Sequence, residues 1–407
     1  MMVNKNKIFG GILLASGTAI GAGMLALPLS TAKSGFIPSG FAFLLCWFFM
    51  TIAALLLLEV NLRFPSDNDL VSMTGSIFGR FEKAIVWIVY LLFLYTLIVA
   101  YLTGSSAWVL KMLEKFDFKV FPNVVMISLI VIFGAVVFYG TVIVEYINRY
   151  LMYGLILTYT MLIVSALPSV EVAKLSVIGL KHLPPTLPLI ITAFGFAPII
   201  PSLTQYLNRD ARALRYVIVL GGLIPLVIYL LWEGVALGII PLSGLNSFEN
   251  LIQHYDDGTG VAVALEQSTG NTWITQSSRW FTIFAIFTSL LGVSLALFHF
   301  LADGLRIQKK TGLNRLFLLG CIYIPPLLLV LFYHSAFSQV LGLAGILAAL
   351  LFGIFPACMV WRTRYSRNKK FERGYQVFGG KPMLITVIIF FCYIVYAEIA
   401  NCIICRS

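Results

Sequence analysis

The chain has 407 residues, 60% of them hydrophobic and 11% charged, with a mean hydropathy of +0.95. This excludes an ordinary water-soluble domain, which is about half apolar and a quarter charged, because a soluble fold has no core large enough to hide so much apolar surface. The net charge of +11 suits a face turned towards anionic lipid headgroups and needs no nucleic-acid partner to explain it.

Apolar runs of about 20 residues, the length that crosses roughly 30 Å of hydrocarbon as a helix, recur along the whole sequence. They predict eleven spans, at 8–30, 36–62, 84–110, 122–140, 147–167, 186–206, 214–240, 278–301, 315–334, 337–361 and 382–404. The runs are continuously apolar, which excludes the alternating strands of a membrane β-barrel. The expected architecture is an all-α integral membrane protein, one transmembrane domain over 1–407. The first run follows Lys5 and Lys7, but it is too long for the core of a secretory signal and is interrupted by glycines, so it reads as a retained helix. With the N-terminus inside, 20 of the 28 Lys and Arg fall on that side and 8 on the other. The positive-inside rule then predicts a cytoplasmic N-terminus and a periplasmic C-terminus in a bacterial inner membrane.

The first span contains Gly17-Thr18-Ala19-Ile20-Gly21-Ala22-Gly23-Met24-Leu25-Ala26-Leu27-Pro28. Each interior glycine weakens a helix by about 1 kcal/mol relative to alanine, so the run predicts an interruption. Small residues also permit close helix packing, and alone the run does not separate the two. The sixth span decides between them. It reads Thr192-Ala193-Phe194-Gly195-Phe196-Ala197-Pro198-Ile199-Ile200-Pro201, and Pro198 and Pro201 each remove a backbone donor at mid-membrane. Backbone groups freed at that depth survive only against protein or a hydrated cavity.

The interrupted spans open two successive sets of five, 8–167 and 186–361, with an eleventh helix at 382–404 outside them. Interruptions at corresponding positions of two halves point to an inverted-repeat secondary transporter with its site at the breaks. A half-helix starting near Gly21 directs N–H groups at an anion such as an α-carboxylate, and carbonyls ending the other half-helices accept from an α-ammonium. The expected substrate site is therefore Thr18, Ala19, Gly21, Ala22 and Gly23 together with Ala193, Phe194, Gly195 and Phe196. The two phenylalanines offer faces for an aromatic side chain, and Tyr101 and Tyr95 in the third span are weaker candidates for the same wall.

Coupling to an ion needs a titratable group or a set of oxygen ligands. The intramembrane candidates are Glu59, Glu145, Glu233, His299, Asp303 and Glu398. Glu59, Glu145 and Asp303 fall near span ends, where gating salt bridges to Arg63 or Arg306 are expected, and Glu233 stands near the outer third of its span, where facing water is the plain alternative. His299 titrates in a suitable range. Thr288 and Ser289 could supply hydroxyl oxygens to sodium, which leaves sodium as the alternative to a proton. The six cysteines lie in or at the ends of spans and imply neither a disulfide framework nor a metal site.

At these residues the sequence resembles the hydroxy and aromatic amino acid permeases, within the amino acid, polyamine and organocation superfamily. The resemblance rests on Gly17–Pro28, Leu56–Val60, Phe194–Leu203, Leu214–Tyr216, Ser289–Leu295 and Leu301–Asp303 and covers nearly the whole chain. It implies a leucine-transporter-type fold of two inverted five-helix repeats plus one helix. It also implies proton-driven uptake of tyrosine, tryptophan or phenylalanine; no cofactor, metal or obligate protein partner is expected. Two positions depart from the pattern: many members carry His where this chain has Ala197, and an acid where it has His299. An intramembrane serine enzyme using Ser105 or Ser106 with His299 or His334 lacks any visible base and oxyanion arrangement, and a channel would call for a filter rather than two broken helices.

Overall fold

The computed structural model of the chain describes residues 5–64, 69–244, 247–254, 258–307, 312–332, 337–365 and 374–404, and within them each predicted apolar span is built of helix, the first and sixth with a break. His334, Cys405 and the basic residues Lys309, Lys310, Arg367, Lys369, Lys370, Arg373 and Arg406 lie outside these residues. The helices are α1 (Lys5–Ala19), α2 (Leu27–Thr31), α3 (Phe36–Asn61), α4 (Leu70–Ile77), α5 (Arg80–Glu114), α6 (Pro122–Tyr139), α7 (Thr141–Ala166), α8 (Leu187–Ala193), α9 (Ile200–Tyr206), α10 (Ala211–Ile239), α11 (Phe248–His254), α12 (Gly260–Thr269), α13 (Thr272–Gly304), α14 (Gly312–Phe332), α15 (Phe337–Ala348), α16 (Phe355–Tyr365) and α17 (Gly380–Ile404). Among the described residues there is no strand, and ten helical stretches are long and apolar enough to cross a bilayer. The pair formed by α1 and Ala22–Thr31, bent by 46°, makes the eleventh. The protein is a multi-pass membrane protein.

The ends of the spans follow from local chemistry. Asp210 caps α10 by accepting from the N–H groups of Arg212 at 2.9 Å and Ala213 at 3.1 Å, and Asn271 caps α13 by accepting from Trp273 N at 2.9 Å; these are donors a helix start otherwise leaves unpaired. Gly140 alone joins α6 to α7, at φ +107°, a conformation in which a Cβ would be strained. Gly35, at φ +86°, turns the chain from α2 into α3, where a side chain would collide with the carbonyl of Val177.

Apolar patterning sets depth. α3 is the most buried span, while α7 and α14 turn most of their apolar side chains outward, as lipid-facing helices do. α13 lies along α7, α5 is held between α13 and α15, α1 packs on α10, and α15 packs on α8. Three helices have no counterpart in the predicted spans, and one predicted span contains an unexpected turn. α4, α11 and α12 are short helices in connections. Ala349–Ile354 is a turn of π-helix joining α15 to α16, and it brings Gly353 so close to the Phe391 ring of α17 that a side chain there would overlap it.

Candidate functional site

The two interruptions meet. α1 stops at Ala19, Gly21 is extended, and the chain restarts as a 3₁₀ turn over Ala22–Ala26 before α2. α8 stops at Ala193, Phe194 to Phe196 are non-helical or barely so, and the chain restarts at Ala197 as a 3₁₀ turn leading to α9. The prolines fall at the first or second positions of the restarts: Pro28 in α2, Pro198 in the turn and Pro201 in α9. There the missing N–H has no intrahelical partner to lose, so the prolines are compatible with the breaks rather than defects in continuous helices. A Cβ on Gly23 would lie 3.4 Å from the Cα of Ala193, so the first break rests directly on the second.

Helix α10 braces this junction with three residues spaced as neighbours on one helical face. Tyr229 Oη lies 2.7 Å from the Ala19 carbonyl and 2.8 Å from the Ala193 carbonyl, which end α1 and α8. A phenol has one proton, so it donates to either carbonyl in turn while staying within reach of both. Trp232 Nε1 donates to Met24 O at 3.0 Å in the restarted turn. Glu233 reaches Thr31, at the far end of α2.

Serine 289 on α13 meets the first break from the other side. Its Oγ accepts from Ala22 N at 2.8 Å, supplying an acceptor to the restarting helix. A Cβ on Gly21 would overlap that Oγ, so glycine at 21 is what lets α13 approach. The neighbouring Thr288 is buried and donates to Ala285 O at 3.1 Å.

The other predicted residues are placed as follows. Ala19, Gly21, Ala22, Gly23, Ala193, Phe194 and Phe196 are buried at or beside the junction; Gly195 is half-buried and Thr18 is exposed, its hydroxyl donating to Leu14 O at 2.7 Å. Phe194 packs edge-on against Tyr229 at 5.1 Å. Phe196 lies beside Gly222 of α10, so both rings contact protein in this structure. Tyr101 is buried and close enough to Tyr229 to interact electrostatically with it, while Tyr95 donates to Cys321 O at 2.7 Å, on α14. His299 is half-buried, 3.1 Å from Thr141 Oγ1. Asp303 is exposed at the end of α13.

Two acids are placed in ways the sequence did not indicate. Glu233, an intramembrane candidate with facing water as the alternative, is fully buried, with α2 packed against it. Glu59 is also fully buried and accepts from Arg63 Nη2 at 2.7 Å, Arg364 Nε at 2.6 Å and Val377 N at 2.8 Å. The expected Arg63 contact is thus one part of a clamp tying α3 to α16 and to the segment before α17. Burial lowers the pKa of Arg63 from its ordinary value, with Glu59 opposing the effect. Tyr229 and Trp232 are the site residues that sequence reasoning missed. Their spacing from Glu233 was visible, but nothing local distinguishes them from other aromatic residues in a membrane helix.

Among the described residues no group of three or more His, Cys, Asp or Glu is placed to hold a metal ion. What the junction offers instead is polar backbone from two helix ends, one bridging phenol and one serine hydroxyl, in apolar surroundings.

Residues 4–398 match the tryptophan/tyrosine permease family. Among similar proteins, the tyrosine-specific transport system 1 of Haemophilus influenzae is 33% identical over 390 residues, covering 94% of each chain. The tryptophan-specific transport protein of the same organism is 32% identical over 407 residues, 97% of this chain and 96% of its own. The glutamine transporter 2 of Aliivibrio fischeri is 28% identical over 97% of this chain and 99% of its own.

Proposed function

The chain belongs to the tryptophan/tyrosine permease family, and from that premise we propose that it imports tyrosine, or else tryptophan, across a bacterial inner membrane by proton symport with alternating access. The observation that carries the proposal is the junction itself: two interrupted spans whose broken ends adjoin at Gly23 and Ala193 and share the hydroxyl of Tyr229. Helix ends at membrane depth bind the charged ends of a zwitterion without a permanent side-chain charge. The carbonyls of Ala19 and Ala193 exchange the Tyr229 hydroxyl for an α-ammonium, and the N–H groups after Gly21 exchange Ser289 for an α-carboxylate. Phe194, Phe196 and Tyr101 then surround the aromatic ring.

The domain plan belongs to the same reading: two inverted five-helix repeats over 8–167 and 186–361, with 382–404 outside them, a cytoplasmic N-terminus and a periplasmic C-terminus. In that plan α1 with α7 and α8 with α15 occupy equivalent positions. The two pairs are packed unequally. α8 and α15 are in backbone contact, since a side chain on Gly345 would collide with the Pro188 carbonyl. α1 instead leaves Leu13, Leu14 and Thr18 exposed. Unequal packing of equivalent pairs supports a conformation open towards the side of the N-terminus, one of the two that alternating access requires.

Labelled tyrosine and tryptophan uptake into proteoliposomes, with pH and sodium gradients imposed separately, tests the proposal. Accumulation driven by the pH gradient is expected; absence of uptake of both, by folded protein under either gradient, overturns it. A broader amino acid specificity is the second reading, favoured by the relative named for glutamine, and competition by unlabelled glutamine reveals it.

A further inference from the structure

Helix α10 carries an acid at a depth where ionised side chains are rare and usually functional. Glu233 is fully buried; its Oε1 meets the hydroxyl of Thr31, and its Oε2 has no hydrogen-bond partner. The Thr31 hydroxyl also lies 2.6 Å from Leu27 O, so one hydroxyl proton stands between two acceptors. If Glu233 holds a proton, the row closes: Glu233 donates to Thr31 and Thr31 donates to Leu27. If Glu233 is ionised, Thr31 must turn from Leu27 to the carboxylate, and a charged oxygen stays buried without a partner.

The charged groups with partners on the elements packed against α10 are paired away from Glu233. Lys174, in the turn Val172–Ser176, donates to Glu171 at 2.9 Å and to Ile239 O at 2.8 Å. Glu266 of α12 pairs with Arg279, and Glu59 of α3 with Arg63 and Arg364. Tyr159 of α7 donates to Ile228 O at 2.9 Å, Cys46 of α3 is a buried thiol, and Lys7 of α1 stands over the Tyr206 ring. On α10 itself, Tyr229 is committed to the breaks one turn away. Thr31 is the polar group that hydrogen-bonds Glu233.

We propose that Glu233 carries the coupling proton, held against Thr31 where α10 meets the outer half of the broken first span. This deepens the proton-symport reading and rests on it. A proton from the outer solution binds the carboxylate and neutralises it, and the neutral carboxyl docks α2 onto α10. Loss of that proton to the inner solution restores the charge, and the charged carboxylate weakens the docking. Because α2 continues directly from the turn that starts at Ala22, this contact acts on the substrate space through one short rigid segment. The half-buried His299, 3.1 Å from Thr141, is not needed for the step.

The test compares the full-length protein with Glu233→Gln, a neutral replacement of nearly the same shape, in proteoliposomes with labelled tyrosine and tryptophan assayed in parallel. The variant is expected to keep exchange of internal for external substrate and to lose accumulation driven by a pH gradient. Accumulation equal to the wild type overturns the assignment of Glu233 alone. Accumulation by the wild type under sodium but not under pH overturns the proton-symport reading, and this assignment with it. If Glu233→Gln neither accumulates nor exchanges, Thr31→Val decides: a displaced pH midpoint of uptake supports the proposal, and an unchanged midpoint overturns it.

Discussion

The hydroxyl of Tyr229 lies 2.7 Å from the carbonyl of Ala19, across 210 residues of chain. That carbonyl ends α1, and the same hydroxyl reaches the one that ends α8. Removing it in Tyr229→Phe leaves two buried carbonyls without their shared donor, at about 1–3 kcal/mol for an unsatisfied buried group. Thermal unfolding in detergent is expected to show lower stability, and uptake is expected to fall. Wild-type stability and uptake in this variant would show that the bridge is incidental.

At the first break the two glycines are under different constraints. Gly21 is extended, at φ −167°, so alanine has no backbone strain there, but its Cβ would overlap Ser289 Oγ. Gly21→Ala is therefore expected to impair uptake, and Gly21→Ala combined with Ser289→Gly to recover part of it. Gly23→Ala meets only ordinary contact at 3.4 Å and is expected to be tolerated, whereas Gly23→Leu is expected to abolish uptake while the protein stays in the membrane. Equal uptake by Gly21→Ala and the wild type would refute the close approach of α13.

Exposure along α1 gives a test of sidedness. In a protein whose six native cysteines are replaced, Thr18→Cys is expected to react with a membrane-impermeant thiol reagent in inside-out vesicles, and Ala193→Cys, which is buried, to resist it. Reaction of Thr18→Cys only in right-side-out vesicles would reverse the orientation.

The Glu59 clamp predicts a stability effect distinct from transport. Glu59→Ala removes the anion from two guanidinium groups whose side chains are 4% and 7% exposed. Breaking a buried ion pair by deleting one partner destabilises by about 3–5 kcal/mol. The melting temperature in detergent is expected to drop, and a double variant that also changes Arg364 to Met is expected to recover part of the loss. A melting temperature unchanged from wild type would mean that solvent already reaches the clamp.

The sequence by itself determined the helical type of the spans and that there are ten or eleven of them, because crossing hydrocarbon as a helix depends on the length and apolarity of one continuous segment. It also located both interruptions, because glycine and proline alter the backbone where they stand. It did not reveal the π-helical turn at Ala349–Ile354, in which Gly353 sits close against Phe391, nor the short helices α4, α11 and α12, none of which is an apolar run of membrane length. Only the tertiary structure decided which distant groups meet. Tyr229 joins two helix ends, Ser289 faces Ala22, and α2 covers Glu233. Each of these depends on how separate helices rotate and pack, and no local run of residues encodes that rotation on its own.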